Sequence, residues 1–196
     1  LTIYEGAPDR AMVDVPTSLP ANGNVTLSAM NCRGLQSSPA KRRQLRPLIG
    51  RSNQVPMSHI VCLSETVLSG DLRDTELPAV LAQAYADDIA PQCRSVWTGH
   101  CGVIIGPALA TWNMVAREAL DGRTIVVTLT EPATLTVTTV VAVYAPVDRA
   151  ERRRWVCDLH RLLVGTPRLI VVGDWNFVPD VTTPYDRVGG GDANGG

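Results

Sequence analysis

Val172-Gly173-Asp174-Trp175-Asn176 is the stretch of sequence that decides the fold, because it ends the fully apolar run Leu169-Ile170-Val171-Val172. Such a run is typical of a buried strand that delivers polar side chains to one edge of a sheet. Since successive strand residues alternate faces, Asp174 and Asn176 are expected to point the same way. Gly173 would allow a close backbone approach or an unusual dihedral angle there. The alternative is that the strand simply enters a turn through Gly-Asp.

The composition is that of an ordinary folded domain: of 196 residues, 45% are hydrophobic and 19% charged, and the formal net charge is −1. This balance lacks the strongly basic character typical of a nucleic-acid-binding domain, so any such interface must be local. No apolar run is long enough to span a bilayer and no secretion signal is visible, so no membrane partner is expected. The five cysteines are odd in number and form no C-x-x-C pair, which predicts reduced thiols.

The basic residues are almost all arginine, and they form two clusters. The clusters are Lys41-Arg42-Arg43 with Arg46 and Arg51, and Arg149 with Arg152-Arg153-Arg154. Arginine suits phosphate because its planar fork donates two hydrogen bonds at once. The alternative is that both clusters are the solvated faces of amphipathic helices.

Three segments are expected along the chain. Residues 1–24 contain Pro8, Pro16 and Pro20 and no sustained periodicity, which predicts a flexible lead-in. Residues 25–187 are expected to form one domain, and residues 188–196 a Gly-rich tail.

Within the domain, strand and helix patterns alternate. Helices are predicted at 38–50, 76–85 and 148–163, strands at 25–29 and 59–63, and another from 169. The strands predicted at 95–97, 102–105, 112–118, 123–129 and 134–144 are interpreted as one antiparallel meander. The sequence therefore predicts an α/β domain in which two sheets pack on each other with helices outside.

Polar side chains follow four of these apolar strands. They are Asn31, Glu65, Tyr144, and Asp174 with Asn176. Active sites are often built at the edge where strands end. Two carboxylates and an amide are hard oxygen donors, which suit a Mg²⁺ ion that keeps several of its waters.

Each of these residues also has a structural alternative. Asn31 could cap the turn that follows it, and Glu65 could be an acid in the first turn of a succeeding helix. Tyr144 could be an interface aromatic whose hydroxyl has found a partner.

Six motifs carry a resemblance to a known family. In chain order they are Asn31-Cys32-Arg33-Gly34-Leu35, Leu63-Ser64-Glu65-Thr66, Gly102-Val103-Ile104-Ile105, Asp121-Gly122-Arg123, Val143-Tyr144-Ala145-Pro146 and Gly173-Asp174-Trp175-Asn176. Their order and rough spacing resemble the endonuclease/exonuclease/phosphatase superfamily. Within it, the chain is most similar to the endonuclease domain of non-LTR (LINE-type) retrotransposons, which also has an Asp-Arg pair like Asp186-Arg187. The resemblance covers residues 25–187.

The resemblance implies a two-sheet α/β sandwich of the DNase I-like type and a DNA endonuclease that depends on Mg²⁺, with Mn²⁺ as an alternative. It also implies DNA as the partner, a reverse transcriptase domain in the parent polypeptide and an intracellular, nuclear location. A phosphatase or phosphodiesterase acting on a small or lipid substrate, and a non-catalytic remnant, remain alternatives, since fold does not settle substrate.

The family also implies roles for single residues. Glu65 would bind the metal, and Asn31 beside it would hold a coordinated water or a phosphate oxygen. Asp174 would orient and deprotonate the attacking water, Asn176 would donate a hydrogen bond to the scissile phosphate, and Tyr144 would approach that phosphate from the opposite wall. The arginines implied for nucleic-acid contacts are Arg33, Arg123 and Arg187, although Arg123 could instead pair with a carboxylate.

The chain departs from the family at its end. In the family, further strands follow Gly-Asp-x-Asn and lead to an Asp-His pair preceded by Ser, whereas here the sequence given stops at Gly196. None of His59, His100 and His160 is predicted to substitute for that histidine. We therefore expect a sandwich that lacks its C-terminal strands, with an unpaired sheet edge, impaired nuclease activity and a tendency to associate.

Overall fold

The computed structural model describes residues 1, 3–5, 25–36, 38–48, 58–67, 77–91 and 93–177. Within these ranges the chain forms strands and α-helices in an α/β arrangement. In chain order they are β1 (Ile3–Glu5), β2 (Leu27–Asn31), α1 (Pro39–Arg43), β3 (Ile60–Ser64), α2 (Ala79–Ile89), β4 (Arg94–Trp97), β5 (Cys101–Ile105), β6 (Asn113–Ala119), β7 (Thr124–Thr130), β8 (Val137–Tyr144), α3 (Arg149–Leu163) and β9 (Leu169–Asp174). Short 3₁₀ helices cover Arg46–Leu48 and Pro107–Leu109.

The strands form two mixed sheets. The first has the order β1-β4-β5-β3-β2 and the second the order β6-β7-β8-β9. Each sheet contains one parallel pair, β2 with β3 and β8 with β9, and these pairs bring Asn31 beside Ser64 and Tyr144 beside Asp174. Because the two strands of a parallel pair end at the same edge, each sheet presents two carboxyl ends together.

The main core lies between the two sheets. Its buried residues come from the inward faces of β3, β5, β7 and β8, and include Ile60, Val103, Ile125, Val127 and Val140. Aliphatic and β-branched side chains that alternate along strands fill such a two-sheet core well.

Helices cover the outer face of each sheet. Tyr85 and Ile89 of α2 pack on the first sheet, and Trp155 and Leu159 of α3 pack on the second. Helix α3 begins after Asp148, whose side chain accepts a 2.8 Å hydrogen bond from the backbone N–H of Glu151, as an N-cap does. The predicted helix and the predicted two-sheet α/β sandwich are therefore confirmed.

Two local predictions were wrong. The strands interpreted as one meander divide between the sheets: β4 and β5 join the first, and only β6, β7 and β8 form a meander in the second. Strand patterns alone do not say which sheet a strand joins. The helix predicted at 38–50 ends at Arg43 and is followed by a 3₁₀ turn, because Pro47 has no N–H for a continuing helix.

The terminal segments are described only in part. Ile3–Glu5, within the predicted lead-in, forms an edge strand antiparallel to β4, which three residues are too short to reveal by periodicity. The rest of 1–24 and the predicted tail at 188–196 lie outside the described residues. The domain boundaries at 24, 25, 187 and 188 stay predictions.

All five cysteines are free thiols, four of them buried. In the described parts of the chain, no helix has the length and apolar character needed to cross a membrane.

Candidate active site

Two side-chain hydrogen bonds join the two sheets at one edge. The Asn31 amide at the end of β2 donates to Oδ2 of Asp174 at the end of β9, over 2.7 Å. The Tyr144 hydroxyl at the end of β8 donates to Oε1 of Glu65, which follows β3, over 3.1 Å. Four of the predicted site residues, from four strand ends, are thus in direct pairwise contact.

Asn31 is held on both sides of its amide. While Nδ2 donates to Asp174, Oδ1 accepts a 3.0 Å hydrogen bond from the backbone N–H of Arg33. Asn31 therefore caps the turn that follows it, which is the structural role considered as an alternative above. It also contacts Asp174 in the other sheet.

The loop after Asn31 has a tightly turned backbone, with positive φ at Arg33 (50°) and Gly34 (79°). Lys41 in α1 ties this loop down, because its ammonium donates to the carbonyl oxygens of Arg33 at 2.8 Å and Gly34 at 2.7 Å. The lysine fixes the turn on which the Asn31 amide depends.

Glu65 also has a left-handed backbone, with a φ of 52°. Its carbonyl oxygen accepts a 2.7 Å hydrogen bond from the N–H of Gly34, so the loops after β2 and β3 brace each other. Residues 65–67 are not helical, which argues against Glu65 as a first-turn helix acid.

Asp174 and Asn176 come together through a turn. Strand β9 ends at Asp174, and the backbone N–H of Asn176 donates to Oδ1 of Asp174 over 2.9 Å, with a φ of 50° at Asn176. The Asn176 amide donates to the carbonyl oxygen of Ala145 over 2.6 Å. Asp174 and Asn176 were predicted to point the same way because they would be alternating positions of one strand. That reason was wrong, since Asn176 lies in the turn after β9, although both side chains lie at this edge.

Gly173 meets the backbone requirement expected of it. Its φ is 143°, and a Cβ at this position would collide with the carbonyl oxygen of Val143 in β8. Trp175, which follows Asp174, turns away and packs edge-on against Trp155 of α3, with ring centroids 6.1 Å apart.

Tyr144 is buried, and its ring is held by two neighbours. His100 stacks on it with centroids 5.5 Å apart, and the Arg123 guanidinium carbon lies 5.5 Å from its centroid. Burial raises the pKa of Tyr144 to about 12, and the negative charge of Glu65 and the hydrogen bond to it act in the same direction. Tyr144 is therefore a hydrogen-bond donor at neutral pH.

His100 is a residue of the site that the sequence analysis missed. Burial, together with the positive charge of Arg123, lowers its pKa to about 4, so the ring is neutral at neutral pH. It lies in the turn between β4 and β5 and reaches Tyr144 only because the sheets face each other. No local sequence pattern marks a contact of this kind.

A cavity of about 220 Å³ lies beside the Asn31–Asp174 hydrogen bond. Its lining is contributed by Ala29, Met30, Asn31, Ser64, Gly173 and Asp174. Since a water takes up about 30 Å³ in the liquid, this space has room for several waters or for a phosphate group. Ser64, almost fully buried in its wall, was also not predicted as a site residue.

The donor set at this edge fits Mg²⁺ or Mn²⁺ better than a metal held by soft ligands. In the described ranges, no three His, Cys, Asp or Glu side chains gather as a metal cluster would require. Mg²⁺ is commonly bound by one or two carboxylates together with waters and substrate phosphate. Glu65 and Asp174, with the Asn31 amide, are such a set.

The arginines implied for nucleic-acid contacts differ in their surroundings. Arg33 is exposed beside Asn31. Arg123 contacts the Tyr144 ring and lies 3.9 Å from the carboxylate of Glu151, which matches the alternative that it pairs with an acid. Arg187 lies outside the described residues.

The two basic clusters are partly structural. Arg42 is buried and pairs with Asp88 at 2.8 Å, and Arg46 donates to the carbonyl oxygen of Asp88 at 2.6 Å. Arg152 donates to the carbonyl oxygens after β8, whereas Arg153 and Arg154 are exposed on α3.

Strand β9 is an edge of the second sheet within the described residues. Its first two side chains, Leu169 and Ile170, are 37% and 42% exposed. An apolar sheet edge was expected here, and the tendency of the chain to associate through it stays a prediction.

Comparison with known proteins was informative only at the level of structure. No protein-family model matches the sequence, and none of the curated proteins matches it. Among solved structures, SmcL is similar with a TM-score of 0.50 and 12% identity, over 79% of this chain and 64% of that one. A β-hairpin deletion mutant of the beta toxin from Staphylococcus aureus gives 0.50 and 12%, over 82% and 69%.

The chain has a two-sheet α/β sandwich fold of the DNase I-like type. The endonuclease domain of TRAS1, a telomere-specific non-LTR retrotransposon, is also similar, with a TM-score of 0.49 and 15% identity over 77% of this chain. The chain spans 60% of that domain's length and 64% of SmcL. At these identities the likeness describes the fold, and the reaction has to be argued from the site.

Proposed function

We propose that this chain is the phosphodiesterase domain of a DNA endonuclease that depends on Mg²⁺ and nicks its target strand. The observation that carries the proposal is the pair of cross-sheet hydrogen bonds, Asn31 to Asp174 and Tyr144 to Glu65. They gather two carboxylates, an amide and a phenol at one edge, where Asn31 and Asp174 line a cavity large enough for a phosphate group. Hydrolysis of a phosphodiester needs a base for water and donors for the phosphate oxygens.

Asp174 is the base in this proposal. Hydrogen bonds from the Asn31 amide and the Asn176 N–H orient its carboxylate, one on each oxygen. Each oxygen keeps a further lone pair, so the carboxylate can still accept a proton from a water in the adjoining cavity. A base held by two donors is already oriented before the reaction.

The neutral donors lie around the same point. Tyr144 keeps its proton at neutral pH and donates a hydrogen bond to Glu65, and the Asn176 amide hydrogen-bonds both the Ala145 carbonyl oxygen and the Tyr144 side chain. With Glu65 engaged by the metal and a phosphate beside it, the Tyr144 hydroxyl and the Asn176 amide would turn to the oxygens of the phosphate. Glu65, with Asn31 beside it, would hold Mg²⁺, which when bound neutralises negative charge on the phosphate.

DNA is the substrate that the sequence favours. The six motifs are most similar to those of non-LTR retrotransposon endonucleases, and Arg33, Arg153 and Arg154 are exposed and free to approach phosphates. As part of the same proposal, the parent polypeptide carries a reverse transcriptase domain and works in the nucleus.

Nicking of supercoiled plasmid tests the proposal. The chain is expected to nick the plasmid slowly with Mg²⁺, in line with the impaired activity expected from its sequence, and not at all with excess EDTA. Asp174→Ala should abolish this nicking. Asp158→Ala is the matched control, since Asp158 is an exposed acid on α3 that pairs with Arg161. Intact plasmid together with turnover of bis-p-nitrophenyl phosphate would favour a phosphodiesterase of small substrates. A cooperatively melting chain that does neither would contradict the proposal.

A further inference from the structure

The side chain of Arg123 lies on the ring of Tyr144. Its guanidinium carbon is 5.5 Å from the ring centroid, within the distance at which a cation is attracted to an aromatic face. His100 contributes a second contact, stacked on the same ring at an interplanar angle of 22°. The Tyr144 ring is thus held by one cationic and one aromatic neighbour.

The backbone of Arg123 is held just as firmly. Its carbonyl oxygen accepts a 2.9 Å hydrogen bond from the N–H of Tyr144 and lies 3.4 Å from Sγ of Cys101, a residue of the opposite sheet. Arg123 therefore sits at a fixed place relative to both β8 and β5, and its side chain starts from a well-defined position.

The charge of Arg123 is already engaged. Its Nε lies 3.9 Å from a carboxylate oxygen of Glu151, and its side chain is only 22% exposed. An arginine that binds a phosphate exposes its planar guanidinium group to solvent and to the ligand. Arg123 instead spreads its guanidinium between an aromatic face and an acid, so a role as a DNA contact does not follow from its position.

The orientation of the Tyr144 ring decides where its hydroxyl points. That hydroxyl donates to Oε1 of Glu65 over 3.1 Å, and a modest tilt of the ring would break this contact. A displacement of about 1 Å in a catalytic group can cost roughly 100-fold in rate.

We propose that Arg123 is a positioning residue, which holds the Tyr144 ring so that its hydroxyl stays on Glu65, and that it does not bind DNA phosphate. The contact geometry stands on its own, and its effect on catalysis rests on the proposed nuclease function. The proposal therefore has two consequences that can be measured separately, one in the ring itself and one in the reaction.

The first experiment observes the ring and needs no activity. The chain is labelled with 3-fluorotyrosine, and the Tyr144 resonance is assigned in the ¹⁹F spectrum by its loss in Tyr144→Phe. Arg123→Gln is expected to shift and broaden that resonance and to leave the Tyr85 resonance in place. Arg117→Gln, at an exposed position of β6, is the control and should change neither. An unchanged Tyr144 resonance in folded Arg123→Gln would overturn the proposal.

The second experiment separates positioning from DNA binding. Plasmid nicking is measured at saturating DNA, and affinity for a duplex oligonucleotide is measured in EDTA over a range of salt. Arg123→Gln is expected to lower kcat by about 10- to 100-fold, with Kd within two-fold of the unmodified chain and an unchanged salt slope. Arg123→Lys should recover part of the rate, because an ammonium also interacts with a ring face.

A DNA contact would give the opposite result. Loss of one phosphate contact weakens binding and reduces the slope of log K against log salt by about 0.9. That result with an unchanged kcat would overturn the proposal. If the unmodified chain nicks nothing but the Tyr144 resonance still responds to Arg123→Gln, the positioning role stands and the nuclease function fails.

Discussion

The Asn31 amide donates a 2.7 Å hydrogen bond to Oδ2 of Asp174, across two sheets and 143 residues of sequence. Neither residue could make this contact from its own sheet alone. Asn31 lies at the end of an edge strand, and Asp174 lies at the end of the edge strand of the other sheet. The proposed base is therefore oriented by a residue from the opposite half of the sandwich.

Asn31→Asp tests this relationship. It would replace the amide donor with a second carboxylate facing Asp174. Because this contact is exposed to solvent, we expect destabilisation of only about 1 kcal/mol at pH 7, where both acids are charged. The destabilisation should shrink as the pH falls towards 4, because one acid then takes up a proton and can donate again. Melting temperatures from pH 7 to 4 measure this. Asn113→Asp, exposed on β6, is the control, and an equal pH response in both variants would contradict the expectation.

Gly173→Ala tests the backbone at the end of β9. The new Cβ would meet the carbonyl oxygen of Val143 at a φ that side chains rarely adopt, so we expect a loss of roughly 3 kcal/mol in the free energy of unfolding. Gly165→Ala is a matched control with a φ of 79° and no atom within 4 Å, and it should cost only about 1–2 kcal/mol. Urea unfolding measures the free energy of unfolding of both variants. Equal losses of this free energy in Gly173→Ala and Gly165→Ala would show that the contact with Val143 is unimportant.

His59 makes stability depend on pH. The backbone N–H of Thr26 donates to its Nδ1 over 2.9 Å, so this nitrogen must be unprotonated in the fold, and burial lowers the pKa of His59. The pKa of His59 in the folded chain lies below its unfolded value of about 6.5. The stability that neutral His59 contributes is therefore fully present above about pH 6.5, and it is lost as the pH falls from there through the folded pKa.

Melting temperatures between pH 8 and pH 5 check this expectation. His59→Gln keeps an acceptor for Thr26 and should flatten part of the decline. His160→Gln, at an exposed position of α3, should leave the decline as it is. Identical curves for the unmodified chain and His59→Gln would contradict the assignment.

Lys41 is expected to matter through the Asn31 loop. Lys41→Met removes the donor shared by the carbonyl oxygens of Arg33 and Gly34, so we expect about 1 kcal/mol of destabilisation and a roughly 10-fold lower nicking rate. Lys41→Arg should restore most of both. Arg43→Met is the control, since Arg43 is a 60% exposed basic side chain of the same helix. A nicking rate that falls equally in Lys41→Met and Arg43→Met would point to helix α1 as a whole.

The sequence was sufficient for those parts of the site that depend on where strands end. Asn31, Glu65, Tyr144 and Asp174 each follow an apolar strand, and parallel pairing brings such ends together. The two-sheet sandwich could be predicted for the same reason, because strand and helix periodicity are local properties of the chain.

The rest depends on contacts between distant segments. His100 meets Tyr144 only across the interface of two sheets, and Arg123 turned out to contact that ring. Asn176 reaches the site by a turn with a positive φ, which alternation along a strand could not predict. Packing likewise decides which sheet β5 joins. It lies in the first sheet, and so does not continue into the meander of the second.

The central claim is that Glu65 binds the metal of a phosphodiesterase site, and the Mg²⁺ dependence of nicking tests it most directly. The rate of plasmid nicking is measured against Mg²⁺ concentration for the unmodified chain, Glu65→Gln and the control Glu118→Gln, an exposed acid of β6. We predict saturation with Mg²⁺ for the unmodified chain and the control. For Glu65→Gln we predict half-saturation at a much higher Mg²⁺ concentration and a rate at least about 100-fold lower. A Glu65→Gln curve that overlays that of Glu118→Gln would contradict the claim.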